Sequence, residues 1–458
     1  MLTEVEYWPD SAERFASLLD RPWPVFLDSG RGGAHAGRYD ILAADPYATL
    51  TTRGELTTIR HRGVRRRSRA DPLRLLAEAL GEPSEAMSAL PFAGGAIGYF
   101  SYDLARRFER LPQLAAADIA MPEMAVGLYD WAVVVDHQEQ RSWLAGAGRD
   151  PRTAAVWGDL VRLSTRAAGR ASSGPFRVLS GISCNFARPA YRRAFDRIEE
   201  HIRNGDCYQV NLAQRFESRV HGDPWQAYLN LRVTNPAPFS AFLAYPFGAV
   251  LSSSPERFLR VRGDRVETKP IKGTRPRSAD RQRDRALASA LAASDKDRAE
   301  NVMIVDLLRN DLGKSCAAGS VHVDALFEVE SFASVHHLVS TVSGRLAPER
   351  SALDLLRSCF PGGSITGAPK LRAMQVIEAV EPQRRSVYCG AIGYVGFDGN
   401  MDTNIAIRTL VKAGDSIYAW AGGGIVADSE EGSEYQESLD KAAALLAILS
   451  APVSSAAG

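Results

Sequence analysis

No one sign of charge dominates this chain. Its 458 residues carry 55 Lys plus Arg against 54 Asp plus Glu, a net charge of +1. That leaves no broad field to attract nucleic acid or an acidic membrane. The local exception is 60–69, where six of ten residues are arginine. No aromatics interleave them, so the run reads as a solvated hairpin rather than a nucleic-acid patch. Cysteine is scarce too. Cys184, Cys207, Cys316, Cys359 and Cys389 are odd in number and scattered without metal-type spacing, which excludes a disulfide scaffold and suits a reducing compartment. No apolar run reaches the ~18 residues a membrane span needs. Residues 1–6 are acidic and lack a basic segment followed by an apolar one. These absences predict a cytoplasmic protein with neither a membrane nor a nucleic-acid partner. Repeats at solenoid periods are missing as well.

What is present is ordinary globular composition, 45% apolar and 24% charged, in a chain long enough for two or three lobes. The stretch 167–175, rich in Ala, Ser and Gly, reads as a linker between an N-terminal lobe, 1–170, and a catalytic part, 176–450. Asp71-Pro72 supplies a cap and a first-turn proline for a helix over 73–80. Strands are expected at 23–27, 39–52, 92–100, 207–220, 239–243, 249–253, 257–266, 320–328, 335–342, 391–397 and 416–420. The runs 125–135 and 141–144 read as a hairpin turning at Asp136-His137. Tyr191, Phe195, Ile198 and Ile202 share one helical face, and further helices are expected over 286–292, 295–308, 371–380 and 434–449. Grouped strands with helices inserted between the groups predict an α+β fold rather than regular βαβ winding.

Several residues could carry chemistry. Lys272 lies between Ile271 and Gly273 at the mouth of a β element. It is either a solvated strand residue or, if buried, a neutral amine able to act as nucleophile or base. Asp297 and Glu300 are three apart on one expected helix, as are Glu434 and Glu437 on another, so each pair shares a face. Each pair is a solvated surface, or the two together hold Mg²⁺, which takes one or two protein carboxylates and fills its other positions with water and substrate oxygens. Two glycine-rich stretches, 361–369 and 421–425, are tight turns or anion-binding nests; neither matches the phosphate-loop or dinucleotide pattern. Arg408, in what reads as an apolar strand, needs a carboxylate from the protein or from a ligand. Glu256, at a strand start, and His337, inside an apolar strand, could move protons; a hydrogen-bonded core histidine is the simpler reading of the latter.

Longer motifs resolve these alternatives. Lys296-Asp297-Arg298-Ala299-Glu300-Asn301 with its continuation to Leu307, Arg309-Asn310-Asp311, the stretch 360–370 and the stretch 421–429 resemble the chorismate-utilising enzymes, the group that includes anthranilate synthase component I. Order and spacing agree over 188–446. Pro270-Ile271-Lys272-Gly273-Thr274, the stretch 206–216 and Tyr129-Asp130-Trp131 resemble the branch that aminates chorismate at C4; anthranilate synthases usually carry alanine at the lysine position.

The resemblance implies two facing antiparallel β-sheets flanked by helices and shared by both lobes. It implies Mg²⁺ on Glu300 and Glu437, with Asp297 and Glu434 as neighbouring or alternative ligands. Arg408, Tyr388, Lys441 and the backbone of Gly422 and Gly424 would bind the carboxylates of chorismate, with Thr366 beside the ring. Lys272 would attack C2, Glu256 would protonate the departing 4-hydroxyl, His337 would stand near both, and ammonia would then displace the lysine to give 4-amino-4-deoxychorismate for p-aminobenzoate and folate. No glutaminase nucleophile motif occurs, so ammonia would come from a separate glutamine amidotransferase subunit or from free ammonium. Ser29, Asn235, Pro236, Pro238 and Phe239 resemble the pocket where some members hold tryptophan. The glycine-rich 31–37 and Phe239 in place of the usual tyrosine depart from that pattern, so bound tryptophan is a candidate and feedback inhibition is not expected. The alternatives are an anthranilate synthase component I and a non-catalytic, tryptophan-binding regulatory subunit.

Overall fold

The computed structural model describes residues 1–30, 37–85, 90–165, 174–332 and 335–450. Most of the linker reading, 167–173, lies outside the described residues, as does 31–36. Among those described, the strands form two sheets of 13 and 12 strands whose pairings are antiparallel. Helices lie outside them, which makes the fold α+β. Strands from both ends of the chain enter each sheet: Val25–Asp28 pairs with Phe239–Tyr245 in one, and Gly95–Phe100 with Ala391–Gly396 in the other.

The first sheet is apolar on both faces, and its strands alternate accordingly. Val25, Leu243 and Val250 point into a core closed on the other side by Ala96, Ile97 and Leu128 of the second sheet. Their neighbours Phe26, Phe242 and Leu251 point the opposite way, against Trp225 and Tyr228 of the helix Pro224–Thr234 and Leu445 of the helix Glu431–Leu449. Fully burying a side chain such as Phe26 or Phe242 contributes about 1.5–3 kcal/mol, so this two-sided burial anchors the strands that carry the site.

Among the described residues the chain four times leaves one sheet and enters the other within a few residues, at 44–47, 130, 255–256 and 406–408. The crossing at Asp130 divides the expected strand 125–135 into Met124–Tyr129 and Trp131–Asp136, one in each sheet. The expected strand 257–266 is likewise two strands, Arg257–Arg262 and Arg265–Lys269, turning at Gly263-Asp264 with Gly263 at φ +58°. The apolar alternation runs on through both arms and hides the two-residue turn.

Two helices complete the frame around the site. Asp295–Gly313 starts where the Ser294 hydroxyl accepts from the Asp297 N–H, and it packs on the strands Ile271–Pro276 and Val335–Arg345. Glu431–Leu449 packs on the strand Ser416–Ile425.

Candidate active site

A cavity of about 650 Å³ opens where two of the crossings meet the edge strand Ile271–Pro276. Glu256 enters it from the crossing at 255–256 and Arg408 from the one at 406–408. Lys272, His337, Tyr388, Gly422, Gly424, Lys441 and the carboxylates of Asp297, Glu300, Glu434 and Glu437 line the same space.

Lys272 faces inward because its strand is irregular. Ile271 pairs with Val339 and Thr274 with His337, a shift of register across Lys272 and Gly273. Such a bulge re-aims a side chain that regular alternation would send elsewhere, and Gly273 supplies the required φ of +81°. The Lys272 ammonium donates to the Ser364 carbonyl at 3.3 Å. Burial pulls its pKa below the ordinary value; nearby Glu300 works against this and Lys441 adds to it. Half-buried, this lysine faces the cavity rather than pointing away from the sheet as a regular strand lysine would.

Glu256 is 5% exposed. Burial pushes its carboxyl up to about 7, against the opposing effects of the hydrogen bond from Ser364 and of the nearby Lys272 charge. The Ser364 hydroxyl donates to Oε1 of Glu256 at 2.7 Å. A carboxyl pushed toward its protonated form and an amine pushed toward its neutral form thus stand around one serine, a pair able to serve acid-assisted nucleophilic displacement.

His337 is buried, with Nδ1 at 2.9 Å from the Thr274 hydroxyl. Burial first, then the charge of Arg408, pushes its pKa down to about 4, so the imidazole is neutral near pH 7. Arg408 occupies a break between two strands, Met401–Ile405 and Thr409–Ala413, with φ +51°. That corrects the reading of 403–409 as one strand: the chain is changing sheets there. No protein carboxylate among the described residues pairs with Arg408, and burial lowers its pKa. A buried guanidinium facing a cavity without a partner is suited to an anionic ligand.

The glycines of 421–425 are neither a nest nor a tight turn. They continue the strand Ser416–Ile425, and a Cβ at Gly422 would lie 2.2 Å from the Leu212 carbonyl oxygen of the paired strand. Close backbone approach is what demands glycine here. The stretch 361–369 meets the cavity through Ser364 and Ile365. Of the residues expected to meet chorismate, Mg²⁺ or the transferred proton, Thr366 alone does not line it: the side chain is fully buried and its hydroxyl donates to the Gly362 carbonyl at 2.9 Å. Sequence reasoning gave no role to Ser364, Asn211 or Trp420. Trp420 forms a wall, stacked on Tyr388 at 5.9 Å and 6°; an aromatic two residues before three glycines was the available signal.

The acidic groups divide by partner. Asp297 is held by Arg275 at 2.9 Å. Glu434 accepts from the Ser429 hydroxyl at 2.7 Å and stands 3.8 Å from Lys296. Glu437 pairs with Lys441 at 2.6 Å; burial raises its pKa but that lysine and the surrounding cations outweigh it and hold the carboxyl low. Glu300 has no hydrogen-bond or ion-pair partner among the described residues, and burial raises its pKa. No group of three or more His, Cys, Asp or Glu is gathered closely enough to cage a metal among the described residues. Mg²⁺ does not require such a cage, and an unpartnered Glu300 sharing a cavity with an ionised Glu437 fits it.

A second cavity, of about 420 Å³, is lined by Ser29, Pro238 and Phe239, with the Arg257 guanidinium 4.8 Å from the Phe239 ring. Asn235 and Pro236 are not among its lining residues. The Asn235 amide instead donates to the Ser253 hydroxyl at 3.0 Å, beyond the end of its helix.

Fold and cavity together suit an enzyme that takes a small anionic substrate. Residues 24–447 match the model of the chorismate binding enzyme family, and the chain belongs to that family. It is 51% identical, over 94% of its length and 95% of the relative's, to aminodeoxychorismate synthase component 1 of Klebsiella aerogenes. With anthranilate synthase component 1 of Thermus thermophilus it shares 39% identity over 93% and 92% of the two chains. Among solved structures, anthranilate synthase component I of Streptococcus pneumoniae superposes with a TM-score of 0.79 at 35% identity, covering 89% of this chain and 91% of that one. No helix among the described residues is long and apolar enough to cross a membrane.

Proposed function

We propose that the protein aminates chorismate at C4, acting as the chorismate-converting component of an aminodeoxychorismate synthase on the route to p-aminobenzoate and folate. The observation that carries this reading is the placing of Lys272 and Glu256 on opposite atoms of Ser364 inside one cavity. The relative that is 51% identical bears that activity's name.

Arg408 binds one carboxylate of chorismate, helped by Lys441 and by the phenol of Tyr388. Glu300 and Glu437 would hold Mg²⁺, which supplies positive charge to anchor the ring carboxylate when bound. The neutral Lys272 amine attacks C2, the ring double bonds shift, and the C4–O bond breaks. Glu256 gives its proton to the departing oxygen, which leaves as water. Ammonia then forms a bond to C4, the double bonds shift back, and the C2–N bond breaks, returning Lys272 as a neutral amine. Glu256, now a carboxylate, takes the surplus proton from the new ammonium group and is ready for another cycle. Neutral His337 offers a hydrogen bond without a competing charge. The walls of Trp420 and Tyr388 keep water off the intermediate.

The "component 1" in the relative's name supports a partner, a glutamine amidotransferase subunit that delivers ammonia. The 420 Å³ cavity with Phe239 and Arg257 has the size and the mix of ring and cation to hold tryptophan.

Product analysis after incubation with chorismate, Mg²⁺ and ammonium tests the reading. 4-Amino-4-deoxychorismate is expected. Anthranilate would instead assign amination at C2, and no product at all would favour a regulatory subunit.

A further inference from the structure

Ser364 is 7% exposed and, among the described residues, is the one hydrogen-bonded to both Lys272 and Glu256. Its hydroxyl faces the acid, and its carbonyl accepts from Lys272 and from the Asn211 side-chain amide, each at 3.3 Å. The loop around it has little room to move. A Cβ at Gly363 would lie 2.4 Å from Cδ2 of Leu307, and one at Gly362 would lie 2.5 Å from Cδ1 of Ile405. Fully buried Arg385 donates to the Ile365 carbonyl at 2.9 Å, and the Asn211 N–H donates to the Thr366 carbonyl at 2.8 Å. A hydroxyl held this firmly can fix the orientation of what it touches.

We propose that Ser364 is a positioning residue: by donating to Oε1 of Glu256 it orients the carboxyl toward the cavity, while its carbonyl sets Lys272 beside the same point. A carboxylic acid holds its proton on one oxygen, and the other is the better hydrogen-bond acceptor. Free to rotate, the acid would present its proton in the productive direction only part of the time. The titratable and charged groups that face Glu256 are Lys272, from the strand Ile271–Pro276, and Cys389, before the strand Ala391–Gly396. Neither donates a hydrogen bond to the carboxyl; the Ile271 backbone N–H does, beside the Ser364 hydroxyl, so Ser364 is the side-chain donor that a substitution can remove. A bond donated to the ionised carboxylate also stabilises that form, and it opposes the burial that raises Glu256.

This role rests on the reading of Glu256 as the general acid, and the experiment has two independent readouts. The first needs no turnover: difference infrared spectroscopy of the free enzyme follows the carboxyl band that Glu256→Gln removes. In wild type that band should titrate near 7. In Ser364→Ala its midpoint should rise by roughly half to one pH unit, and in Ser364→Thr, which keeps the hydroxyl, it should stay with wild type. The second is kinetic, with chorismate and ammonium. Ser364→Ala should lose about tenfold or more in kcat with KM for chorismate little changed, and Ser364→Thr should recover most of it. A Glu256 band that titrates identically in wild type and Ser364→Ala overturns the proposal. So does a kcat that falls equally in the alanine and threonine variants, since that is the behaviour of a packing residue. A shifted band in an enzyme that makes anthranilate would keep the Ser364–Glu256 coupling and overturn only the C4 assignment.

Discussion

Gly273 lies so close to Asp297 that a Cβ built on it would sit 2.8 Å from the Asp297 Cγ. The strand carrying Lys272 is thereby seated directly on the helix that carries Glu300. With φ at +81°, this glycine both forms the bulge and allows the contact. Gly273→Ala should cost about 1–2 kcal/mol from the left-handed backbone alone. The greater loss should be in turnover, because moving a reacting group by ~1 Å can cost about 10²-fold in rate. Urea unfolding and steady-state kinetics on the same preparation check this. A variant with wild-type kcat would show that the bulge does not aim Lys272.

Glu300→Gln and Glu437→Gln should each lose activity at low Mg²⁺ with the fold intact. An amide keeps the shape and removes the charge, and Mg²⁺ prefers anionic oxygen. Glu437→Gln has a second effect, releasing Lys441 from its 2.6 Å ion pair, so its chorismate KM should also change while that of Glu300→Gln changes less. Mg²⁺ titrations of activity and of binding, by calorimetry, separate the two effects. Unaltered Mg²⁺ dependence in both variants would remove the metal from these carboxylates.

Glu256→Gln should bind chorismate and convert it slowly. Loss of general acid catalysis typically costs ~10²–10⁴-fold. The wild-type rate should fall on the alkaline side as Glu256 gives up its proton, near pH 7. It should fall on the acid side as Lys272 becomes protonated, below the usual lysine range because burial lowers its pKa. These limbs belong to the interacting pair rather than to either group alone. In the variant the limb near 7 should vanish. Turnover within about threefold of wild type, well short of a general acid's usual contribution, would make Glu256 structural.

The parts of the site legible in the sequence are those encoded locally. Asp297 with Glu300 and Glu434 with Glu437 share helix faces by spacing alone, and the helices Asp295–Gly313 and Glu431–Leu449 bring them to one cavity. Alternation likewise exposed the strand Gln209–His221 of the first sheet, while the expected strand 39–52 is two strands, Tyr39–Ala43 and Ala48–Arg53, one in each sheet. What stayed hidden depends on a neighbour far along the chain. The direction of Lys272 comes from a register shift against Val335–Arg345, which no periodicity records. Gly422 is required by the Leu212 carbonyl of a partner strand, so a glycine run that looked like a turn is a strand. Arg408 was taken for a strand residue because the crossing between sheets, at 406–408, is as apolar as the strands on either side. Ser364 and Glu256 meet across 108 residues of chain, and only the folded arrangement shows that they touch.

Lys272→Ala bears on the whole chemical reading. With ammonium present, the variant should lose 4-amino-4-deoxychorismate, because no tethered nucleophile remains to shift the double bonds and expel the 4-hydroxyl. Binding should largely survive: Arg408 is not bonded to Lys272, and nothing in the substitution disturbs its crossing at 406–408. The smaller side chain leaves space at C2, where ammonia or water could add directly and give a 2-substituted product instead. Glu256 also loses the cation that lowers its pKa. The Lys272 charge opposes the upward push of burial on that carboxyl, so in the variant its pKa should rise further and any residual activity should extend to higher pH. Chromatography of the products with mass detection, across pH, reads both effects at once. Undiminished 4-amino-4-deoxychorismate from Lys272→Ala would refute covalent catalysis by this residue and leave its inward aim without a chemical purpose.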